Sequence, residues 1–399
     1  MPKIRKISAD WIFPISSPPI KNGILVFDKH GKILDLINPS EVKTMPEDVE
    51  KFKGILCPGF VNTHCHLELS WMKDKIPEKT GLGGFVLEVQ KAKQTSDRRQ
   101  IKEAIAKADE QMRKNGIVAV GDISNTDYSF ATKAGSPICY HSFIEVYGSM
   151  PWLAEEKFSK SKSIFDTLKK DFNLQGSITP HATYSVSVQL FNLIKQHAEK
   201  HQSILSIHHQ ESLDENLLFK NKTGWIVESM KKMGIDYSWF EPTGKSPLES
   251  TGHLLPTENP ILMVHNTFSE EADMNYAESI FENLYWALCP NANLFIEGCL
   301  PNIPLFNEKN LNLTIGTDSL ASNHQLSVLE EIKTIAQAFP EIPLGNLLKW
   351  STLNGAQFLG VENRYGSFEK GKNPGINLIT GISRGLHQLS SDSKVVSIK

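Results

Sequence analysis

No C-x-x-C pair occurs among the five cysteines, Cys57, Cys65, Cys139, Cys289 and Cys299, and their number is odd. That excludes a disulfide frame and leaves reduced thiols in a cytoplasmic protein as the expectation. Long apolar runs are also missing. None approaches the roughly 20 residues of a membrane-spanning helix, so no membrane contact is expected. The stretch "MPKIRKISADWIFPISSPP" lacks an apolar core and is broken by prolines, so a secretory leader is not expected. Charge of one sign is lacking too: 42 Lys and Arg face 45 Asp and Glu, a net charge of −3. This argues against nucleic acid or an anionic membrane surface as partner. Repeats and low-complexity tracts are absent.

What is present is ordinary globular composition, 40% hydrophobic and 22% charged over 399 residues. Residues 21–37 alternate β-formers with "NG" and "HG" turns. From residue 54, short β-rich runs alternate with amphipathic helices. The runs are "GILCPGFVN" (54–62), "GIVAVGDI" (116–123), "ICYHSFIEV" (138–146), "GSITPHA" (176–182), "ILSIHH" (204–209), "PILMVHN" (260–266), "YWALCPN" (285–291) and "LTIGTD" (313–318). Helical patterns include 98–116, 186–201 and 327–339. Eight β units separated by helices predict an α/β protein, a (β/α)8 TIM-type barrel over 56–359. A doubly wound sheet is the alternative; it would need a reversal of strand order. The tail returns to short strands and turns. Residues 1–55 and 360–399 are therefore expected to form one small β-sandwich domain. The long connection 212–259 is expected to be a lid or wall over a substrate.

Polar residues collect where these β runs end. In "NTHCHLELS" (62–70), His64 and His66 fall on one face of a strand, and Glu68 continues that direction if the backbone stays extended. His181, His208, His209, His265 and Asp318 sit at the ends of later runs. That is the end at which barrel enzymes carry their chemistry. Each residue alone has a bland reading as a cap, a turn polar or a chance pair. Jointly, three histidines and an aspartate can hold one divalent cation, and imidazole with carboxylate suits Zn2+ or Fe2+. His208 shares a face with Ser206, whereas His209 lies with Leu205 and Ile207. His208 is therefore assigned to the cation and His209 to packing or support.

"PGFVNTHCHLE", "PHATYSVS", "IHHQES", "VHN", "TDSLASN", "TLNGAQFLG" and "YGSFEKGKNPGINLI" occur in order along nearly the whole chain. With these motifs it resembles the amidohydrolase superfamily, in its cytosine/adenosine-deaminase-like branch. "HCHLELS" and "IHHQES" look most like aminofutalosine-deaminase and chlorohydrolase sequences. The resemblance implies a divalent metal held by His64, His66, His208 and Asp318. It implies Glu211 as proton shuttle, His265 beside the reacting water, and His181 as a substrate or water contact. Glu68 would read the edge of the substrate ring. Two-metal relatives generally carry a bridging Lys or Glu at the end of strand 4. Here that end reads "ITPHA", so one metal per chain, Zn2+ or Fe2+, is expected. Two motifs depart from the pattern: "CPNAN" (289–293), and Asn377 in place of an aspartate.

The implied activity is metal-dependent hydrolytic deamination, releasing ammonia from an aminated nitrogen heterocycle. An adenine nucleoside-like compound such as aminofutalosine is one candidate substrate. Hydrolysis of a cyclic amide or a C–Cl bond is an alternative, and a non-catalytic scaffold is an alternative of another class. The expected partner is a small heterocyclic molecule, and self-association into a homo-oligomer stays open.

Overall fold

The computed structural model describes residues 4–234, 237–382 and 388–398. Eight parallel strands alternate with helices: β1 Phe60–Cys65, β2 Ile117–Ser124, β3 Cys139–Val146, β4 Gln175–Pro180, β5 Leu205–His209, β6 Ile261–His265, β7 Leu284–Leu288 and β8 Leu313–Ile315. They form two four-stranded sheets, β4-β3-β2-β1 and β5-β6-β7-β8. Single parallel bridges join the outer edges of the two sheets, Cys65 to Asp318 and Ala182 to His208. The fold is mixed α/β with parallel sheets. Every residue of β1, β5 and β6 is buried. A strand covered on both faces reads as a continuous apolar run; β6 does so up to His265, whereas β1 and β5 bury polar residues toward their C-terminal ends.

The helices supply that cover. Arg98–Lys114 starts at Asp97, whose carboxylate accepts from the amides of Arg99 and Gln100, and it buries Ile101, Ile105, Ala108 and Met112. Its apolar residues recur at three- and four-residue spacing, which makes one stripe. Val188–His201 is capped by Ser187 and ends at Gln202, which adopts the left-handed conformation. Val328–Ala338 is capped by Ser327. Each lies within two residues of the span read from the sequence.

One expectation needs correction. The first β run is two strands, not one. Ile55–Pro58 leaves the parallel array and pairs antiparallel with Ile376–Thr380, Pro58 opposite Ile376. The chain turns at Gly59, where an added Cβ would meet the Pro374 carbonyl at 2.7 Å. The strand thus straddles the boundary expected at 55/56.

The chain ends build two further sheets. One carries Arg5–Ser8, Ile24–Phe27, Ile33–Ile37 and Glu50–Lys51; the other carries Trp11–Ile12, Ile20–Lys21, Ile55–Pro58, Ile376–Thr380 and Lys394–Ile398. Ile7, Ile12, Leu25, Leu56, Phe368 and Leu378 form an apolar core drawn from both ends of the chain. Asn377 is buried and donates its amide to the Gly116 carbonyl at 2.9 Å. An ionised aspartate could not donate there, so this departure from the family pattern makes its own tie between chain end and strand array.

Among its described residues the connection 212–259 holds the α-helices Leu213–Asn221, Trp225–Lys232 and Pro247–Thr251 and the 3-10 helix Gly252–Leu254. Trp225 lies flat against Gly83 in the helix Gly81–Gln94 that follows β1; a Cβ on Gly83 would meet its ring atoms at 2.6 Å. Tyr184 packs against the apolar clusters of both segments. Among the described residues no helix is long and apolar enough to cross a membrane.

Candidate active site

The C-terminal ends of β1, β5, β6 and β8 bring together one group of imidazoles and a carboxylate. His64, His66 and His208 form one cluster whose ligand atoms lie within 4.8 Å of one another; His64, His265 and Asp318 form a second that shares His64. His66 Nε2 is 3.1 Å from His208 Nε2 and 3.5 Å from Asp318 Oδ1. His64 Nε2 is also 3.5 Å from Asp318 Oδ1. The His64 ring stands edge-on to those of His66, His208 and His265, with centroids 4.9, 4.9 and 5.6 Å away.

This arrangement depends on the backbone. β8 approaches β1 closely because residue 316 is glycine. A Cβ there would lie 2.8 Å from both His64 Cβ and Cys289 Sγ. Beyond it, the amides of Thr317 and Asp318 donate to the His64 carbonyl at 3.0 and 3.1 Å. Gln210, His265 and Asp318 all take left-handed φ values, 44°, 76° and 54°. Such conformations are costly for non-glycine residues and collect at functional sites. Gly316→Ala is expected to cost about 1–3 kcal/mol through overpacking, read by urea unfolding; wild-type stability in that variant would refute the close approach.

Electrostatics keep the rings neutral. Burial pushes His64 down to about 3 and His181 down to about 4, and it holds His66 well below the usual range. His208 Nδ1 donates to the His181 carbonyl at 2.8 Å, which turns Nε2 toward His66. Both nitrogens of His64 are buried without a hydrogen-bond partner. Buried polar atoms left this way ask for a partner. Neutral imidazoles aimed at one another beside a carboxylate fit a divalent cation.

Glu211 lies beside this group, its Oε1 3.6 Å from His265 Nε2. Burial pushes its carboxyl up to about 8; the His208 ring opposes this, and the Asp318 and Glu297 carboxylates reinforce it. Burial therefore favours its protonated form.

The structure brings together His64, His66, His208, His265 and Asp318 of the strand-end pattern, and with them Glu211, which the resemblance implies. His209 points elsewhere: its Nδ1 meets Asn266 Oδ1 at 3.0 Å and its ring packs edge-on to Trp286. His181 is beside His208, with ring centroids 4.9 Å apart, and its Nδ1 lies 2.7 Å from the Ser185 hydroxyl.

Glu68 requires correction. The strand stops at Cys65, and Leu67–Met72 is a 3-10 helix, so Glu68 does not continue the His64–His66 direction. The turn is held by Asp122 Oδ1, which accepts from the Leu67 amide at 2.7 Å. Glu68 Oε1 accepts from the Thr126 amide and hydroxyl at 2.9 and 2.8 Å, and Oε2 accepts from the Asn125 amide at 3.1 Å.

Three further residues matter here. Lys133 and Asp122 form a fully buried ion pair at 2.5 Å, with Ser124 and Ser142 as further partners of the ammonium. Glu145 ends β3 close to His208. The strand-end rule that selects His181 and His208 applies equally to Glu145 in "ICYHSFIEV". Lys133 lies in the helix Phe130–Gly135 and carries no such signal.

At the opposite end of the strands, a cleft of about 450 Å3 opens among His141, Lys169, Gln175 and His201. It holds none of these residues.

The sequence pattern of the amidohydrolase family matches residues 55–397. The chain belongs to the amidohydrolase family. This amidohydrolase is 29% identical over 324 residues to an adenosine deaminase of Helicobacter pylori, covering 78% of this chain and 75% of that protein. Among solved structures it resembles Helicobacter pylori aminofutalosine deaminase in complex with methylthio-coformycin, with a TM-score of 0.78, 23% identity, and 96% and 93% of the two chains covered. It also resembles an adenosine deaminase from Xanthomonas campestris with bound zinc, with a TM-score of 0.73, 20% identity, and 96% and 87% covered.

Proposed function

We propose that this amidohydrolase is a metal-dependent hydrolytic deaminase that releases ammonia from an aminated nitrogen heterocycle, with adenine nucleoside-like compounds as the substrate class. The observation that carries the reading is the convergence of His64, His66, His208 and Asp318 with Glu211 alongside. The adenosine deaminase relative supports the C–N bond and the purine ring. On this reading the two parallel sheets close into a (β/α)8 barrel, and the end sheets form a small sandwich beside it.

One divalent cation, zinc before iron, would be held by His64, His66, His208 and Asp318. When bound it supplies Lewis acidity that makes water nucleophilic near neutral pH. Asp318 and His265 orient the attacking water and accept its proton. Glu211 gives its proton to the ring nitrogen next to the amino-bearing carbon, so that carbon can become tetrahedral. A proton then passes to the exocyclic nitrogen, which leaves as ammonia. His181, at the rim, contacts the substrate. Glu68 holds the loop after β2 in place, as its hydrogen bonds indicate, instead of reading the ring. Helices of the 212–259 connection wall the entrance.

Zinc-loaded protein is expected to release ammonia from at least one of adenosine, 5′-deoxyadenosine, methylthioadenosine and aminofutalosine, at one metal per chain by elemental analysis. Silence across this set, with release of ammonia from pterins or pyrimidines only, would sink the purine assignment.

A further inference from the structure

Glu145 has no part in the chemistry described above, yet it is buried at the centre of the site. Its Oε2 accepts from the Asn125 side-chain amide at 2.9 Å. Its Oε1 is buried without a hydrogen-bond partner and lies 3.5 Å from His208 Nδ1. Asn125 in turn donates its backbone amide to Glu68, two residues after His66. A continuous path thus runs from the His66 turn through Glu68 and Asn125 to Glu145 and the ring of His208.

We infer that Glu145 is a positioning residue that balances the charge of the cation site through His208, held there by the Asn125–Glu68 brace. This rests on the reading of His64, His66, His208 and Asp318 as the ligands. Three neutral imidazoles and one carboxylate leave a dication with one positive charge uncompensated. The groups are buried, and a buried net charge is costly. Glu211 faces His265, so Glu145 is the carboxylate set against a ligand ring. Glu145 acts on that ring by its charge alone, since the Nδ1 proton is given to the His181 carbonyl. A second cation between Glu145, His181 and His208 is disfavoured by the hydrogen bonds already made. His208 Nδ1 is engaged by the His181 carbonyl, and His181 Nδ1 by Ser185. Two donor atoms remain, too few for a closed site.

The test is zinc affinity, measured by competition with a chromophoric chelator on metal-free wild type, Glu145→Gln, Glu145→Asp and His66→Ala. Thermal unfolding of the metal-free forms is followed in parallel. Glu145→Gln is expected to bind zinc about 10–100-fold more weakly while its metal-free Tm stays at the wild-type value. Glu145→Asp, which restores the charge, should recover part of the loss. Unchanged affinity in Glu145→Gln overturns the inference, as does a Glu145→Asp variant no better than the amide, or a metal-free Tm that falls in step with affinity. The ligand reading fails separately, and the inference with it, if wild type takes up no zinc or if His66→Ala binds as wild type does.

Discussion

Glu211→Gln is expected to retain cation and fold and to lose roughly 10²–10⁴-fold in kcat. The amide matches the carboxyl in size and keeps a hydrogen-bonding group near His265. It cannot give up a proton and take it back. In the wild type, burial pushes this carboxyl up to about 8, which favours the neutral acid that the ring nitrogen needs. Steady-state ammonia release alongside zinc content checks this. Turnover within a few-fold of wild type at full zinc occupancy would move Glu211 out of the mechanism and into packing.

Lys133→Met is expected to destabilise the protein by about 3–5 kcal/mol. The substitution keeps most of the apolar stem but leaves Asp122 buried without its cation. Both side chains of this pair are fully buried at 2.5 Å separation. The loss should reach the site as well, because Asp122 also accepts from the Leu67 amide and so shapes the turn that follows His66. Guanidinium unfolding measures the first effect. A second substitution, Asp122→Leu, should return part of the stability, since it removes the orphaned charge. A cost under about 1 kcal/mol in Lys133→Met would show that water reaches Asp122 and that the pair is not buried in solution.

The cluster proposed to hold the cation was legible because its members follow a local rule. His64 and His66 alternate on a strand, and His208 shares its face with Ser206 while His209 faces Trp286. Asp318 and His265 follow from their places at the ends of β8 and β6. Glu68 was misread because its direction is set by a long-range contact. The strand breaks after Cys65 where a carboxylate on β2 captures the Leu67 amide, and alternation along the chain carries no trace of that. The split of the first β run has a similar cause. Ile55–Pro58 and Phe60–Cys65 are both buried strands, and pairing with Ile376–Thr380 and with Trp11–Ile12 from the two ends of the chain separates the first from the second. Lys133 was invisible because a lysine within a short helix ordinarily faces solvent, and its partner lies on a strand.

The seams between the two parallel sheets lie where the donors are. One bridge joins Cys65, between His64 and His66, to Asp318; the other joins Ala182, next to His181, to His208. Both are single bridges, whereas strands within each sheet are paired over several residues. An ion gripped by His64 and His66 from one sheet and by His208 and Asp318 from the other would fasten the two halves like a rivet through overlapping plates. Occupancy of the reaction centre and cohesion of the whole molecule would then be one quantity. A weakened ligand would surface as a floppier protein as well as a slower enzyme, and selection on either property would preserve the same four side chains.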